Sequence, residues 1–447
     1  AHKPTNIYQS LSLEGFFLYF KMKARTLWYV FLLLARVLPE ASPATHEGDV
    51  ALLTLLKSGL DSSSVEPGSC VSSWDFSVDP CDNLYTERFT CGFSCEVADS
   101  STGVSRVTEI ALDHAGYSGS LERVPFNEAD YLRVIDLSGN NFYGSIPESL
   151  HGLTQLTKLV LSSNNFAGTI PSAIGTLVNL EELFLDGNAL QGDVPVSLAS
   201  LVGLKRLDLQ NNRLAGRFPD FGSLVNLNFL DVSNNEFSGE IPYDVLFPAS
   251  LVQLTARNNS LQGTIPESLQ TLNYLQVLDL SSNQMTGSVP SFFFTSPSLQ
   301  QINLASNQLS SIEQPTIAAL LQSQLVALDL SANQLEGFLP EFMAAMPKLC
   351  VLSLEDNRLS GVIPLTYAIK AVLPPAGVSQ FSRLLLGRNY LFGSIPSPFL
   401  WLFKRGFSSS STVIRIDGNC LYRCPMRFFF CQGDGQRAEA DCKAFLP

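Results

Sequence analysis

The chain has 447 residues, 45% of them hydrophobic, and a formal net charge of −13. That apolar fraction supports a packed core and excludes a disordered chain, while the acidic balance argues against a nucleic-acid partner, whose phosphates need a basic surface. No apolar run reaches the roughly 18–20 residues that cross a bilayer, so we expect no membrane span. The four histidines are far apart in the sequence, so we expect no metal site and no cofactor.

The first 44 residues are typical of a leader. Residues 1–21 precede the first methionine, and we interpret them as an upstream or gene-model extension. Residues 22–44 combine a short basic start, the apolar stretch 27–35 and small residues at 42–44, which predicts a secretory signal peptide, with an uncleaved anchor as the alternative. Without residues 1–44 the chain keeps 23 basic and 39 acidic residues, a net charge of −16.

A Cys-rich segment over 45–106 follows. Leucines at helical spacing predict a short helix that starts at Gly48, is capped by Asp49 and ends at Ser58-Gly59. Nine cysteines occur in the chain, and four of them lie near each end. This grouping predicts two disulfides per end, among Cys70, Cys81, Cys91, Cys95, Cys420, Cys424, Cys431 and Cys442.

The spacing of the cysteines leaves the pairing open, because four cysteines allow three connectivities. A zinc knuckle is the alternative, and it is disfavoured because neither group has two CxxC halves or a nearby histidine. Cys350 is the odd cysteine, and we expect it to be a half-buried structural thiol.

A repeat fills the middle of the chain. The pattern L-x-x-L-x-L-x-x-N recurs at 24-residue steps, interrupted by single steps of 23, 26 and 32 residues. Its asparagines are Asn140, Asn164, Asn188, Asn212, Asn235, Asn259, Asn283, Asn307, Asn333, Asn357 and Asn389. The pattern predicts an α/β repeat solenoid of about 13 units over 107–419, closed by Cys-rich caps over 45–106 and 420–447.

Simple physics explains this pattern. L-x-L points alternate leucines to one side of a short strand, and only stacking of successive units buries them. The asparagine amide then bonds the backbone where the chain leaves the strand. Parallel strands line the concave face of such a solenoid, and the end units need caps because they would otherwise expose the core.

A second motif, Gly-x-Φ-Pro (Φ, apolar), follows the asparagine in ten of these eleven units. Glycine permits the tight bend and proline fixes φ after it. The exception follows Asn307, and about eight extra residues lie around 373–377, between Asn357 and Asn389. Functional loops and a tolerated insertion are both open interpretations of these departures.

The N-x-x-x-G-x-I-P runs, Trp74, Asp79-Pro80-Cys81 and the 420–442 cysteines resemble those of plant extracellular leucine-rich-repeat proteins. That family includes receptor-like proteins, receptor-kinase ectodomains and polygalacturonase inhibitors. The resemblance implies a right-handed solenoid with a second, irregular sheet, and recognition of peptides, proteins or wall fragments. Five residues follow Cys442, so we expect no membrane span, kinase or lipid-anchor tail in this sequence.

No catalytic motif is recognisable, so we predict that the protein is not an enzyme. Binding is the better hypothesis, through residues that face outward from the concave strands. Exposed aromatic residues among charged ones predict a ligand-binding patch of Glu182, Phe184, Asp186, Lys205, Arg206, Asp208, Gln210, Phe229, Asp231 and Arg257. For the aspartates the simpler interpretation is a solvated strand position.

Asn258-Asn259-Ser260 is a glycosylation sequon, so we predict a glycan on Asn258. We predict a secreted recognition protein of signalling or defence, in the extracellular space or cell wall or peripherally at the plasma membrane. Its partner would be a peptide or protein, with a receptor-kinase ectodomain as one candidate. The alternatives are an inhibitor of a wall hydrolase, like the polygalacturonase inhibitors, and a wall-structural protein. The acidic strand positions favour a basic partner.

Overall fold

The structure is a computed structural model, which describes residues 44–99, 103–241, 247–404, 412–422 and 424–445. The predicted upstream extension lies outside the described residues, as does the predicted signal peptide apart from its last residue.

One long sheet runs through the described part of the chain, with fourteen strands in spatial order. Thirteen of them are parallel, and each residue of one strand pairs with its counterpart in the next unit, as Leu159 does with Leu183 and Leu183 with Leu207. The fourteen strands are β1 (Phe93–Asp99), β2 (Val104–Ala111), β4 (Val134–Asp136), β6 (Lys158–Val160), β8 (Glu182–Phe184), β10 (Arg206–Asp208), β12 (Phe229–Asp231), β14 (Gln253–Thr255), β16 (Val277–Asp279), β18 (Gln301–Asn303), β20 (Ala327–Asp329), β22 (Val351–Ser353), β24 (Arg383–Leu385) and β26 (Val413–Arg415).

A second, broken series of strands follows the asparagines, as the resemblance implied. It forms separate sheets of five, two, two and four strands among the described residues. Its members are β3 (Ser118–Ser120), β5 (Asn141–Gly144), β7 (Asn165–Gly168), β9 (Ala189–Gly192), β11 (Arg213–Leu214), β13 (Ser238–Glu240), β15 (Ser260–Gln262), β17 (Thr286–Val289), β19 (Gln308–Ile312), β21 (Glu336–Phe338), β23 (Arg358–Val362), β25 (Tyr390–Ser394) and β27 (Cys420–Tyr422).

Short helices return the chain to the next strand. The α-helices are α1 (Glu47–Ser58), α2 (Cys70–Ser73), α3 (Ile317–Leu320), α4 (Glu341–Ala345), α5 (Leu365–Val372), α6 (Ser397–Lys404) and α7 (Glu439–Cys442). The 3-10 helices are Ser62–Ser64, Phe126–Glu128, Glu148–Gly152, Ser172–Thr176, Val196–Ser200, Glu267–Thr271, Ser291–Phe294 and Phe429–Cys431. Several begin directly after the proline of the Gly-x-Φ-Pro motif, as at Pro147 and Pro171.

The asparagines hold successive units together as predicted. The Oδ1 atom of Asn164 accepts the Phe142 N–H of the preceding unit at 2.9 Å, and its Nδ2 donates to the carbonyls of Leu137 and Leu161 at 2.9 and 3.3 Å. Because these backbone groups are buried, the amide satisfies donors and acceptors that would otherwise lack partners. The residue before the asparagine has a positive φ in all eleven of these units, 54° at Ser163 for example.

The two irregular units keep the sheet intact by different means. Glu313 replaces the Gly-x-Φ-Pro motif after Asn307, and its Oε1 and Oε2 accept the Ser288 Oγ–H at 2.6 Å and the Ser291 N–H at 3.0 Å. The extra residues after Asn357 lengthen the returning helix α5, whose Lys370 is buried and donates to the Met346 carbonyl at 2.6 Å. Both changes lie away from the strands of the long sheet, so its register is unbroken.

The N-terminal cap differs from the prediction in one respect. Helix α1 begins at Glu47 and its cap is His46, whose Nδ1 accepts the Gly48 N–H at 3.2 Å. Asp49 is instead fully buried and binds the Arg106 guanidinium at 2.9 Å. The prediction of an Asp49 cap was therefore wrong, because a charge partner 57 residues away determines its position.

All eight cysteines predicted to form disulfides do so, two pairs at each end, Cys70–Cys91, Cys81–Cys95, Cys420–Cys442 and Cys424–Cys431. Cys350 is a half-buried free thiol, as expected. At the N-terminal end of the long sheet, β1 runs antiparallel to β2, and its register shifts twice along its length. At the other end the Phe430 carbonyl accepts the Ile416 N–H at 2.9 Å.

Candidate ligand-binding surface

The outward residues of the long sheet form columns across it, because each strand pairs in register with the next. Arg206 lies between Glu182 and Phe229 in one column. Asp208 lies between Phe184 and Asp231 in the adjacent column. The sequence-predicted patch residues on β8, β10 and β12 are therefore neighbours in space.

An arginine between two aromatic rings forms the centre of this patch. The Arg206 Cζ atom lies 4.7 Å from the Phe229 ring centroid and 5.6 Å from the Phe184 centroid. Lys158 approaches the same Phe184 ring at 5.9 Å and pairs with Glu182 at 3.2 Å. Arg206 is exposed and both rings are half-buried. Two cations and two rings thus share one surface, and Lys158 was missed by the sequence reasoning.

The aspartates of the patch are less available than expected. Asp208 and Asp231 are buried, with 7% and 9% of their surface exposed. Asp208 accepts the Gln210 N–H at 3.2 Å, and Asp231 accepts the Ser233 N–H at 2.8 Å. The interpretation of these two as solvated strand residues was wrong, because each carboxylate closes the turn that follows its strand. Asp136, Asp279 and Asp329 make the same bond to the residue two positions on.

Burial changes the protonation of Asp208. Loss of solvent raises the pKa of its carboxyl to about 6, with the nearby Asp186 and Asp231 charges adding to the effect and the Gln210 hydrogen bonds opposing it. An ionised group here is costly, so the negative potential of the patch depends on pH near 6.

The remaining predicted residues lie around this centre. The exposed Lys205 pairs with Glu181 at 2.6 Å, and Asp186 accepts the Ser162 hydroxyl. Arg257 is exposed, and its side chain makes no ion pair with any described residue. Lys205 is thus paired at the edge of the patch, while Arg257 remains open to a ligand.

The predicted glycosylation residue Asn258 is exposed beside the patch. Its Nδ2 donates to the Asn234 Oδ1 at 3.0 Å, and the Asn234 Nδ2 donates to the Asn211 Oδ1 at 2.8 Å. These three side chains form a surface row of amides. The accessible Nδ2 is the atom to which a glycan would be attached.

A second polar cluster, not found from the sequence, lies on the same face near the C-terminal end. It contains Glu355, Asp356, Arg388, Arg415, Asp417 and Asp434, linked by ion pairs of 4.0 Å or less. Burial raises the pKa of the Glu355 carboxyl, while the Arg415 and Arg388 charges oppose that rise. The sequence did not reveal the cluster, because the ion pairs that join its members depend on the positions of side chains rather than on the spacing of the repeats.

The described residues contain no group of three His, Cys, Asp or Glu side chains suited to hold a metal ion. None of their helices is both long and apolar enough to cross a membrane.

Comparison with known proteins places this geometry in context. The family profile described as "Leucine-rich repeat region" matches residues 117–384. An inactive leucine-rich repeat receptor-like serine/threonine-protein kinase of Arabidopsis thaliana is 34% identical over 114 residues, which are 26% of this chain and 14% of that protein.

Solved structures give longer matches. The Arabidopsis receptor kinase HAESA, in complex with the peptide hormone IDA and the co-receptor SERK1, is similar with a TM-score of 0.62 and 27% identity, over 84% of this chain and 66% of that one. The plant peptide hormone receptor RGFR1, in complex with RGF2, has a TM-score of 0.58 and 29% identity. The match covers 66% of this chain and 45% of that one. The chain thus spans less than two thirds of the length of these relatives.

Proposed function

Because the chain belongs to the leucine-rich-repeat family, we propose that it is a non-enzymatic recognition protein that binds a peptide or protein ligand on its concave face. The similar receptor HAESA is in complex with the peptide hormone IDA, and RGFR1 is a peptide hormone receptor in complex with RGF2. Repeat arrays of this kind use their extended concave surface for binding.

The observation that carries the proposal is the Arg206 guanidinium between the rings of Phe184 and Phe229. Arginine and aromatic side chains are the residues that contribute most to protein interfaces. Here they are pre-ordered by strand register, so little side-chain entropy is lost on binding. At its surface the patch offers a guanidinium and two rings, while Asp208 and Asp231 are buried, so it favours a ligand with hydrogen-bond acceptors as well as apolar groups.

The proposed location is extracellular, peripherally at the plasma membrane or in the wall. Its support is the set of four disulfides, which persist in oxidising compartments. The Asn258 glycan is part of this proposal. A mass decrease of the secreted chain on glycosidase treatment, absent in Asn258→Gln, is the expected result.

Affinity capture tests the function. The full chain is expressed in plant cells and used to capture partners from extracellular fluid and from solubilised membranes, with identification by mass spectrometry. We expect a protein or peptide whose recovery falls at least tenfold in the triple variant Phe184→Ala, Arg206→Ala, Phe229→Ala, because each removed anchor contributes about 1 kcal/mol or more.

The matched control removes the same residue types elsewhere. Phe338 is exposed on β21 and Arg358 lies on β23, both outside the long sheet, so Phe338→Ala, Arg358→Ala should leave capture unchanged. Recovery of a receptor kinase supports the receptor-like role, and recovery of a wall hydrolase points to an inhibitor. Equal losses in both variants, or none in either, contradict the proposed site.

A further inference from the structure

Three consecutive units place a glycine between two carboxylates. Glu355, Gly387 and Asp417 follow strands β22, β24 and β26 at the same position, and backbone bonds connect these units here, from Asp356 N–H to the Gly387 carbonyl at 3.1 Å and from Arg388 N–H to the Asp417 carbonyl at 2.8 Å. Because glycine has no side chain, Glu355 and Asp417 face each other across Gly387, and the space over this glycine is called the gap below.

Both acids direct an oxygen at that gap. A Cβ atom on Gly387 would lie 3.0 Å from Glu355 Oε1 and 3.3 Å from Asp417 Oδ1. Glu355 is 7% exposed and Asp417 is fully buried, yet neither of these two oxygens accepts a hydrogen bond from any described residue. Buried carboxylate oxygens normally have partners, so two of them converging on one gap indicate a missing donor.

The neighbouring arginines do not supply that donor. Arg415 Nε stays 3.6 Å from Glu355 Oε1, and Arg415 Nη2 contacts the other oxygen of Asp417, Oδ2, at 3.4 Å. Arg388 is held by Asp356 at 2.5 Å and reaches Glu355 only at 4.0 Å. Both arginines offer charge compensation without a hydrogen bond to either converging oxygen.

The charge of the cluster favours a cationic donor. Four carboxylates (Glu355, Asp356, Asp417 and Asp434) face the two guanidinium groups of Arg388 and Arg415 in the ion pairs of the described residues. The next arginine, Arg437, donates to the carbonyl of Asn389 at 2.7 Å instead. A bound water would satisfy the two oxygens but would leave the negative charge uncompensated.

A metal ion fits less well. Calcium takes six to eight oxygen ligands, and no third His, Cys, Asp or Glu side chain completes a metal site among the residues that the structure describes. A primary ammonium group carries three N–H donors and one positive charge. It matches two convergent carboxylate oxygens and leaves one donor for solvent.

We propose that the gap over Gly387, between Glu355 and Asp417, is a binding site for a primary ammonium group. The amine would belong to the ligand of the concave face, as a lysine side chain or a free N-terminus, and in this respect alone the inference rests on the proposed function. The site is separate from the Arg206 patch, because seven strand-to-strand steps lie between β10 and β24 in the long sheet. Only an extended ligand would contact both.

Methylammonium is the probe for the site itself. We expect it to raise the thermal midpoint of the full chain by about 1 °C in a saturable manner, by mass action on the folded state. Tetramethylammonium at equal ionic strength has no N–H donor and should give no saturable rise. Glu355→Gln and Asp417→Asn should each abolish the methylammonium response.

Two further variants make the result specific. Glu336→Gln removes an exposed carboxylate that pairs with Arg358 at 3.3 Å outside the cluster, so its response should equal that of the unchanged chain. Arg415→Gln removes the competing cation beside the gap and should strengthen methylammonium binding several-fold. Because each variant is compared with itself in the absence of amine, a change in its own stability does not affect the conclusion.

Two tripeptides then identify the source of the amine. Ac-Gly-Lys-Gly-NH2 carries only a lysine ammonium, and Gly-Gly-Gly-NH2 carries only an N-terminal one. A Glu355-dependent response to either supports the proposal and names its form. Equal responses to methylammonium in the unchanged chain and Glu355→Gln, or no response in either, overturn it and leave a bridging water as the occupant. Capture through the Arg206 patch is measured in a separate experiment. A failure of the ammonium site can therefore be distinguished from a failure of the proposed function.

Discussion

Two stretches of the same sheet hold their charged side chains in different ways. Around β10, two rings flank the Arg206 guanidinium, and the carboxylates of the adjacent column are buried and bonded to their own turns. Around β24, the carboxylates are held in a network of arginines but two oxygens lack hydrogen bonds. The first stretch offers donors and apolar surface to a ligand, whereas the second offers acceptors. A common backbone frame therefore presents two chemistries along one face.

The largest effect should come from breaking the frame that both stretches share. Asn212 and Asn389 each hold two units together by hydrogen bonds to buried backbone groups. Replacing either by alanine leaves several of these unpaired, so we expect a loss of about 3 kcal/mol in the free energy of unfolding. Urea unfolding followed by circular dichroism measures it. Similar losses in the free energy of unfolding at both positions would show that the asparagines stabilise both stretches in the same way. A loss at only one position would show that the two stretches are stabilised differently.

A smaller effect should distinguish the buried acids. The pKa of Asp208 is raised to about 6, from an ordinary value of 3.8, so its ionisation destabilises the folded state. This group's contribution to stability is complete below pH 3.8 and is lost as the pH rises through 6. Asp208→Asn should therefore raise the free energy of unfolding by about 2 kcal/mol at pH 7 and have little effect near pH 4.

Glu355→Gln serves as the comparison for that pH profile. Burial also raises the pKa of the Glu355 carboxyl, but the charges of Arg415 and Arg388 oppose the rise. We expect a weaker pH dependence than at Asp208. Unfolding curves collected from pH 4 to 7 compare how the stability effect of each substitution changes with pH. A steeper pH dependence for Glu355→Gln than for Asp208→Asn would contradict this prediction.

The smallest effect tests the gap. In Gly387→Ala the new methyl group would lie 3.0 Å from Glu355 Oε1, which is close enough to displace that side chain slightly. We expect a loss of about 1 kcal/mol in the free energy of unfolding together with loss of the methylammonium response. Unchanged stability and an unchanged response would mean that the two oxygens do not meet at this point.

The sequence reasoning predicted the fold well because the asparagine register repeats at nearly constant steps. The same constancy placed Arg206 beside Phe229, since equal offsets in successive units become neighbours across the sheet. Phe184 lies in the adjacent column and approaches Arg206 through its ring. Their contact with a ligand remains a prediction.

Two features escaped prediction for physical reasons. The burial of Asp208 and Asp231 depends on bonds to the backbone of the following turn, which leave no trace in residue spacing. The second cluster joins Glu355, Gly387 and Asp417, which are 32 and 30 residues apart. Each lies two residues before a repeat asparagine, so the register aligns them across the insertion. The burial of the two acids and their unpaired oxygens are visible only in the structure.

The antiparallel strand β1 has a consequence for self-association. A stack of identical parallel strands resembles a growing polymer, because each end is a template for another chain. Here β1 faces the opposite way and its register shifts twice, while the Phe430 carbonyl occupies a backbone donor at the far end. The two ends of the sheet therefore do not match, which disfavours end-to-end growth of a filament from copies of the protein.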